Sequence, residues 1–569
     1  MPLKTLAAFA ASISLLLLAS PWGLASNSRP HPLPQVKFFD FTYEGKDDIF
    51  AAPLKPGEYQ NPILAGFYPD PSIVRVGEDF FLATSSFSYS PGVPIFHSKD
   101  LVNWRSLGHA LIDTEQLPLF NQSTSRGIYA PTLRHHKGVF YLITTLVDVR
   151  GNFLVTATNP AGPWSKPILL PEVGGIDPDI FFDDDGRVYI AHNDDPPGEP
   201  QYEGHRAIWM WEYDPDNQKI IPDSRRLLVD GGSDIKKKPI WVEGPHLYKI
   251  NGWYYLVCAE GGTGYDHSAV VFRSRSLQEP FIPYGKNPIL TQRDLDPKRA
   301  NAINNAGHAD LVQTAEGEWW AVFLATRTYQ QEHFNTGRET FLLPVRWHDE
   351  WPVILDAGKA VPYRLPAPST QAKSRAAQPT TGNFVWEDSF TRDHLAHDWL
   401  QLRIDHQPFY QLLPHQGAIA LEARPVTLAQ LEQPAFIARR QQHMHYTAKV
   451  SMALPRAKGI AAGLAAFQSE QAHYFLAVER NDKGYAWFVE QANLGAPQII
   501  ARGQLALPFR LQTLQLGLRL NTDTLDFYYW DSEGKKRELL SGADASILSS
   551  LKAGGFVGSM VGLHVRQSP

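Results

Sequence analysis

The sequence predicts an all-β protein, a five-bladed β-propeller followed by a β-sandwich, and three observations predict it. From about Gln60 to Leu365, short β-branched and aromatic runs alternate with Gly, Asp, Asn and Pro clusters, with little sustained helical period. Within that stretch one ten-residue pattern recurs. Beyond a segment punctuated by Pro366, Pro368, Ser369, Thr370 and Pro379, the strands alternate cleanly, as in Leu511 to Leu520.

In chain order, residues 1–25 come first. Lys4, an apolar run from Leu6 to Leu18 and the small-residue end Gly23-Leu24-Ala25 predict a secretory signal cut after Ala25, hence export to the medium or the periplasm. The run is short for a bilayer span, so no membrane attachment is expected after cleavage. Residues 26–54 are assigned to an N-terminal extension. Cys258 is the one cysteine, which excludes an intrachain disulfide and any Cys-based metal or redox centre. A net charge of −6 leaves no basic footprint for nucleic acid, and Lys236-Lys237-Lys238 reads as a solvated loop.

The repeat occupies the next domain, residues 55–365. Its copies are Tyr129 to Gly138, Asp177 to Gly186, Glu243 to Gly252 and His308 to Gly317, with Asp70 to Gly77 a copy shortened by two. Each ends in a hairpin-type turn and continues into an aromatic strand, such as Phe140-Tyr141-Leu142 or Trp253-Tyr254-Tyr255. The closing glycines stand 48 to 66 residues apart, the length of a four-stranded blade with variable loops. Five copies imply five blades.

The innermost strand of every propeller blade runs beside the axis, so the residues opening the copies should share one central funnel. These are Asp70, Tyr129, Asp177, Glu243 and His308. Carboxylates gathered in a pocket are costly unless paired or protonated, which marks the cluster as a site. Two carboxyl groups across a cavity are the minimum for glycoside hydrolysis, one protonating the leaving oxygen and the other serving as base or nucleophile. Asp70 and Glu243 come from non-adjacent blades and can face each other. A third carboxylate near Glu243 would raise its pKa. Asp177 is the natural candidate, but Asp179 follows two residues later and would share its face in a regular strand, so either fits.

Asn61 to Ile73, Gly174 to Gly186, Trp241-Val-Glu243-Gly-Pro-His246 and Ala306-Gly-His308-Ala-Asp310 closely resemble glycoside hydrolase family 43 over residues of about 55 to 365. The resemblance implies an inverting mechanism on β-D-xylosides or α-L-arabinofuranosides. In it Asp70 is the general base, Glu243 the general acid, and Asp177 the group that orients Glu243 and raises its pKa. Acid and base in such enzymes stand about 6.5 to 9.5 Å apart to admit a water. Gly337-Arg338-Glu339-Thr340 is similar to the family segment whose arginine binds the sugar, which makes Arg338 a substrate ligand. Ser85 to Ser98 resembles the loop lining the sugar pocket, with Phe87 placed to pack on a sugar face. Tyr129 stands where many relatives carry Trp, on the pocket wall. His308 matches the family histidine near the axis, where some members hold calcium largely through waters. The resemblance therefore allows a structural calcium at His308, while the chemistry itself calls for no cofactor.

Residues 366–383 read as a linker and 384–569 as the sandwich, which resembles the concanavalin-like jelly roll that follows the propeller in family xylosidases; Gly555 to Leu563 is similar to its terminal strand. Its expected role is to cover apolar propeller surface, with closing one side of the sugar pocket or binding a polysaccharide as the alternatives. The function expected from residues and resemblance together is release of xylose from xylo-oligosaccharide ends, or of arabinofuranose side chains from xylan. The alternatives are an arabinan-degrading glycosidase of the same mechanism and a non-catalytic glycan-binding protein.

Overall fold

The computed structural model describes residues 33–568 except 331, 371–377, 406 and 509; the expected signal segment lies outside them. Each repeat copy folds as anticipated, into an inner strand, a tight turn and an aromatic second strand. The inner strands are Ser72–Val76, Thr132–His136, Ile176–Phe182, Glu243–Ile250 and Ile303–Gln313. Each pairs antiparallel with the strand after its turn, and two or more further strands complete each of five separate sheets. The repeat glycines Gly77, Gly138, Gly186, Gly252 and Gly317 all have φ between 63 and 91°, the left-handed turn conformation that glycine adopts without a Cβ penalty.

Adjacent blades pack through the aromatic second strands. Phe81 of the first blade meets Phe140 of the second edge-on, with ring centroids 5.0 Å apart, inside a buried cluster that spans both blades. The two ends of the propeller are tied together by Glu58–Gln60 pairing with Arg364–Pro366. Ile63 N also donates to the carbonyl of Thr340, at 2.9 Å.

Two eight-stranded sheets form the sandwich, and the segment assigned to an extension is part of it. Gln35–Gly45 pairs with Phe384–Asp388, Ala418–Glu422 and His445–Ala453. Its Phe41 is fully buried against Trp386 and Trp399, at 6.0 and 4.9 Å. Burying one such ring contributes about 2 to 3 kcal/mol, so the sandwich core is assembled from both ends of the chain. The expected linker is likewise bound where it is described: Pro366 lies in the closing strand pair, and Thr380 both accepts from Ala65 N and donates to the carbonyl of Ile63.

Candidate active site

At the starts of the inner strands lies a cavity of about 620 Å³, within the range of small-molecule sites. Asp70, Tyr129, Asp177, Glu243, His308, Arg338 and Phe87 all line it. A shared backbone device aims several of them inward. Asp70, Asp177 and His308 take φ of 54, 55 and 53° at the same point of three blades, and in a fourth Gly244, the residue after Glu243, takes 55°. Strand pairing is interrupted beside three of them, between Ile176 and Asp179, between Glu243 and His246, and around Gly307. Such bulges re-aim side chains, and a left-handed Asp or His costs about 1 to 3 kcal/mol that the surrounding fold must offset. Gly244 is required for a second reason: a Cβ there would lie 2.7 Å from Cε1 of His308.

The bulge separates Asp177 from Asp179. Because regular alternation fails there, the two side chains do not share a face. Asp177 enters the cavity, whereas Asp179 is fully buried away from it, pairing with Arg134 at 3.0 Å and accepting Leu247 N at 2.7 Å.

Electrostatics separate the three pocket carboxyls. Burial pushes Asp70 up, but the Arg338 guanidinium 2.9 Å away, His308 and the Ser85 hydroxyl outweigh it and hold Asp70 below the usual carboxylate range. Glu243 is pushed up to about 7, first by burial and then by the charge of Asp70, against Arg338 and Arg206. Burial, then Glu243 and Asp70, raise Asp177 well above its ordinary value, while it accepts a bond from Gly244 N. The pocket therefore contains one carboxylate that stays ionised beside two carboxyls that retain protons. Asp177 is fastened to the peptide that carries Glu243, and Asn193 Nδ2 anchors the same segment by donating to the carbonyl of Val242 at 2.5 Å. Arg338 does not pair with neighbouring Glu339, which is bound instead to buried Arg327 at 2.7 Å.

One wall is aromatic. Tyr129 packs edge-on against Phe87, at 5.8 Å, and its hydroxyl accepts a hydrogen bond from Arg126 Nη1 at 2.9 Å. The third ring of this wall, Phe556, comes from the sandwich: it stacks on Phe87 at 6.3 Å and meets Tyr129 at 5.8 Å. The sandwich thus does more than cover the propeller. It also grips the loops that bear the wall residues, since Tyr89–Ser90 pairs with Leu400–Leu402, Glu470 accepts from Thr124, and Phe556 N donates to Ser125 Oγ. The Gly555 to Leu563 stretch had pointed to a terminal strand, but nothing local in it indicates a pocket residue. Trp241, inside a segment that carries the family resemblance, and Arg206 also line the cavity, the guanidinium 4.8 Å from the ring, and nothing in the sequence marks Arg206 as a pocket residue.

Calcium takes about six to eight oxygen ligands. His308 offers nitrogen, and among the described residues no group of three or more His, Cys, Asp or Glu is placed to hold a metal. The axial carboxylates Asp179 and Asp310 are both engaged by Arg134. The described side chains therefore build no oxygen cage for calcium at His308, and an ion there would be held largely through waters.

Comparison with known proteins gives matches to the family model of glycosyl hydrolases family 43 over residues 59–352, and to that of the beta xylosidase C-terminal concanavalin A-like domain over residues 387–568. A xylosidase/arabinosidase of Butyrivibrio fibrisolvens is 37% identical over 89% of this chain and 95% of its own length. A non-reducing end alpha-L-arabinofuranosidase of Bacteroides ovatus is 35% identical over 89% of this chain and 91% of its own. Among solved structures, a family 43 protein from a capybara gut metagenome superposes with a TM-score of 0.88 at 38% identity, covering 94% of this chain and all of the other. The xylan beta-1,4-xylosidase of Bacillus halodurans superposes at 0.78 with 33% identity, over 90% and 97%.

Proposed function

This chain belongs to glycosyl hydrolase family 43, and we propose that it is an inverting exo-enzyme that removes single xylose or arabinofuranose units from the non-reducing ends and side chains of xylan-derived oligosaccharides. The observation that carries the mechanism is the opposed protonation of Asp70 and Glu243 within one pocket. Two carboxyls whose environments drive their pKa values apart define a base and an acid.

In this reading the Asp70 carboxylate takes a proton from a water as its oxygen bonds to the anomeric carbon. Glu243 delivers its proton to the glycosidic oxygen as the bond from that oxygen to the anomeric carbon breaks. The sugar leaves with inverted configuration, and proton exchange with solvent restores both carboxyls. Asp177 orients Glu243 through Gly244 N, while burial and the charge of Asp70 keep the acid protonated. Arg338 keeps Asp70 ionised and presents its guanidinium to the sugar hydroxyls, while Phe87, Tyr129 and Phe556 face the ring's apolar side. The names of the relatives support xylose and arabinofuranose as the sugars.

Early-time proton NMR of xylobiose mixed with arabinose-substituted xylan tests the reading. Initial α-xylose identifies an inverting β-xylosidase and initial β-arabinose an inverting arabinofuranosidase. Retained configuration would make Asp70 a nucleophile, and glycan bound without cleavage would place the chain among the non-catalytic binders.

A further inference from the structure

Two to three residues beyond the pocket residues, the inner strands meet at a single guanidinium. Arg134, on the inner strand of the second blade, has Nη1 3.0 Å from Oδ2 of Asp310 and Nη2 3.0 Å from Oδ1 of Asp179; both carboxylates are completely buried. Nη2 also donates to Nδ1 of His246 at 3.0 Å, and Ser72 Oγ lies 3.5 Å from Nη1. Each of the other four blades thus sends one side chain to Arg134. Those side chains follow the pocket residues along the same strands: Ser72 follows Asp70, Asp179 follows Asp177, His246 follows Glu243, and Asp310 follows His308.

The connections continue into the backbone. Asp310 accepts Ile73 N at 2.9 Å, and Asp179 accepts Leu247 N at 2.7 Å. The two carboxylates that Arg134 holds therefore grip the strands that carry the base and the acid. A planar guanidinium with five fixed donors suits this ring of two carboxylates, a hydroxyl and an imidazole nitrogen.

Resting on the assignment of Asp70 and Glu243 above, we propose that Arg134 is a positioning residue for the hydrolysis and the built-in axial cation of this propeller. It fixes the two strands relative to each other and supplies the positive charge at the axis, so turnover needs no divalent metal. A base and acid displaced by about 1 Å lose on the order of 10²-fold in rate.

The test compares the full-length enzyme with R134M and R134K on xylobiose, with melting temperature and circular dichroism confirming folding. Folded R134M should lose about 10²-fold in kcat with KM little changed, and R134K, which keeps the charge without the fork, should recover part of the loss. Wild type stripped with EDTA should show the same kcat/KM and melting temperature before and after millimolar calcium is added. Unchanged kcat in R134M overturns the positioning role. Calcium-restored activity, or a calcium-raised melting temperature in the stripped wild type, overturns the built-in cation. If R134M does not fold, R134K and the calcium titration decide. A wild type that does not cleave at all counts against the hydrolase reading, and the melting temperature with and without calcium still reads the axis.

Discussion

Arg338 Nη1 lies 2.9 Å from Oδ1 of Asp70, while the Ser85 hydroxyl donates to the other oxygen, so both oxygens of the base are engaged. This pairing keeps a buried carboxylate charged. Replacing Arg338 with Met removes the largest effect opposing burial at Asp70 and one that also lowers Glu243. Both pKa values should then rise. The acid limb of the kcat/KM profile is expected to climb into the measurable range and the basic limb to move up with it. The remaining activity should fall by at least about 10²-fold, because a buried charge is left without its partner. A profile of R338M with both limbs unmoved would sink this account of the base.

The acid and the base predict different responses to the leaving group. E243Q cannot protonate the departing oxygen, so turnover of xylobiose should fall by about 10² to 10⁴-fold, while an aryl xyloside with an acidic phenol suffers much less. D70N should be equally poor with both, since water activation is needed whichever group leaves. Steady-state rates on the two substrates decide the matter; an E243Q variant with the same loss on each would remove Glu243 from the acid's role.

Arg206 touches the acid through its field alone. It stands against Trp241 at the pocket mouth and lowers the pKa of Glu243, which still reaches about 7. Since the active form carries the proton on Glu243, activity declines as pH rises through that value. R206M removes a positive charge, which favours the protonated form, and should shift the basic limb of kcat/KM to higher pH while leaving the acid limb in place. A downward or absent shift in the pH profile would contradict it.

The blades were legible in the sequence because hairpin chemistry is local: Gly77 through Gly317 mark turns that need a left-handed residue, and the aromatic strands follow at once. The convergence of Asp70, Asp177, Glu243 and His308 followed from that repeat. What escaped was set by non-local packing. Nothing about Asp177 demands the left-handed φ of 55° that separates it from Asp179, so strand alternation misplaced the pair on one face. Gln35–Gly45 does alternate, with Val36, Phe38, Phe41 and Tyr43 buried, but its partners lie hundreds of residues away and local reading made it an extension. Arg134 was visible only as one member of a repeat, and its meaning depends on four other blades meeting it.

Phe556 provides the test of whether the sandwich takes part in recognition. It reaches the pocket from the second domain, stacks on Phe87 at 6.3 Å, meets Tyr129 at 5.8 Å, and lies 5.6 Å from the Arg338 guanidinium carbon. On the proposed reading this ring packs on the sugar in the ground state and the transition state alike, so F556A should raise KM more than it lowers kcat. Loss of one aromatic wall should cost roughly 1 to 3 kcal/mol of binding, about 10 to 200-fold in kcat/KM. Global stability should fall only modestly, because the ring is half-buried and packs from outside against the cluster of Phe67, Phe87, Tyr89 and Met560. Kinetics on xylobiose together with the melting temperature separate the effects: a large fall in melting temperature with KM unchanged would return the sandwich to a covering role, whereas a raised KM with only a modest fall in melting temperature makes it part of the sugar site.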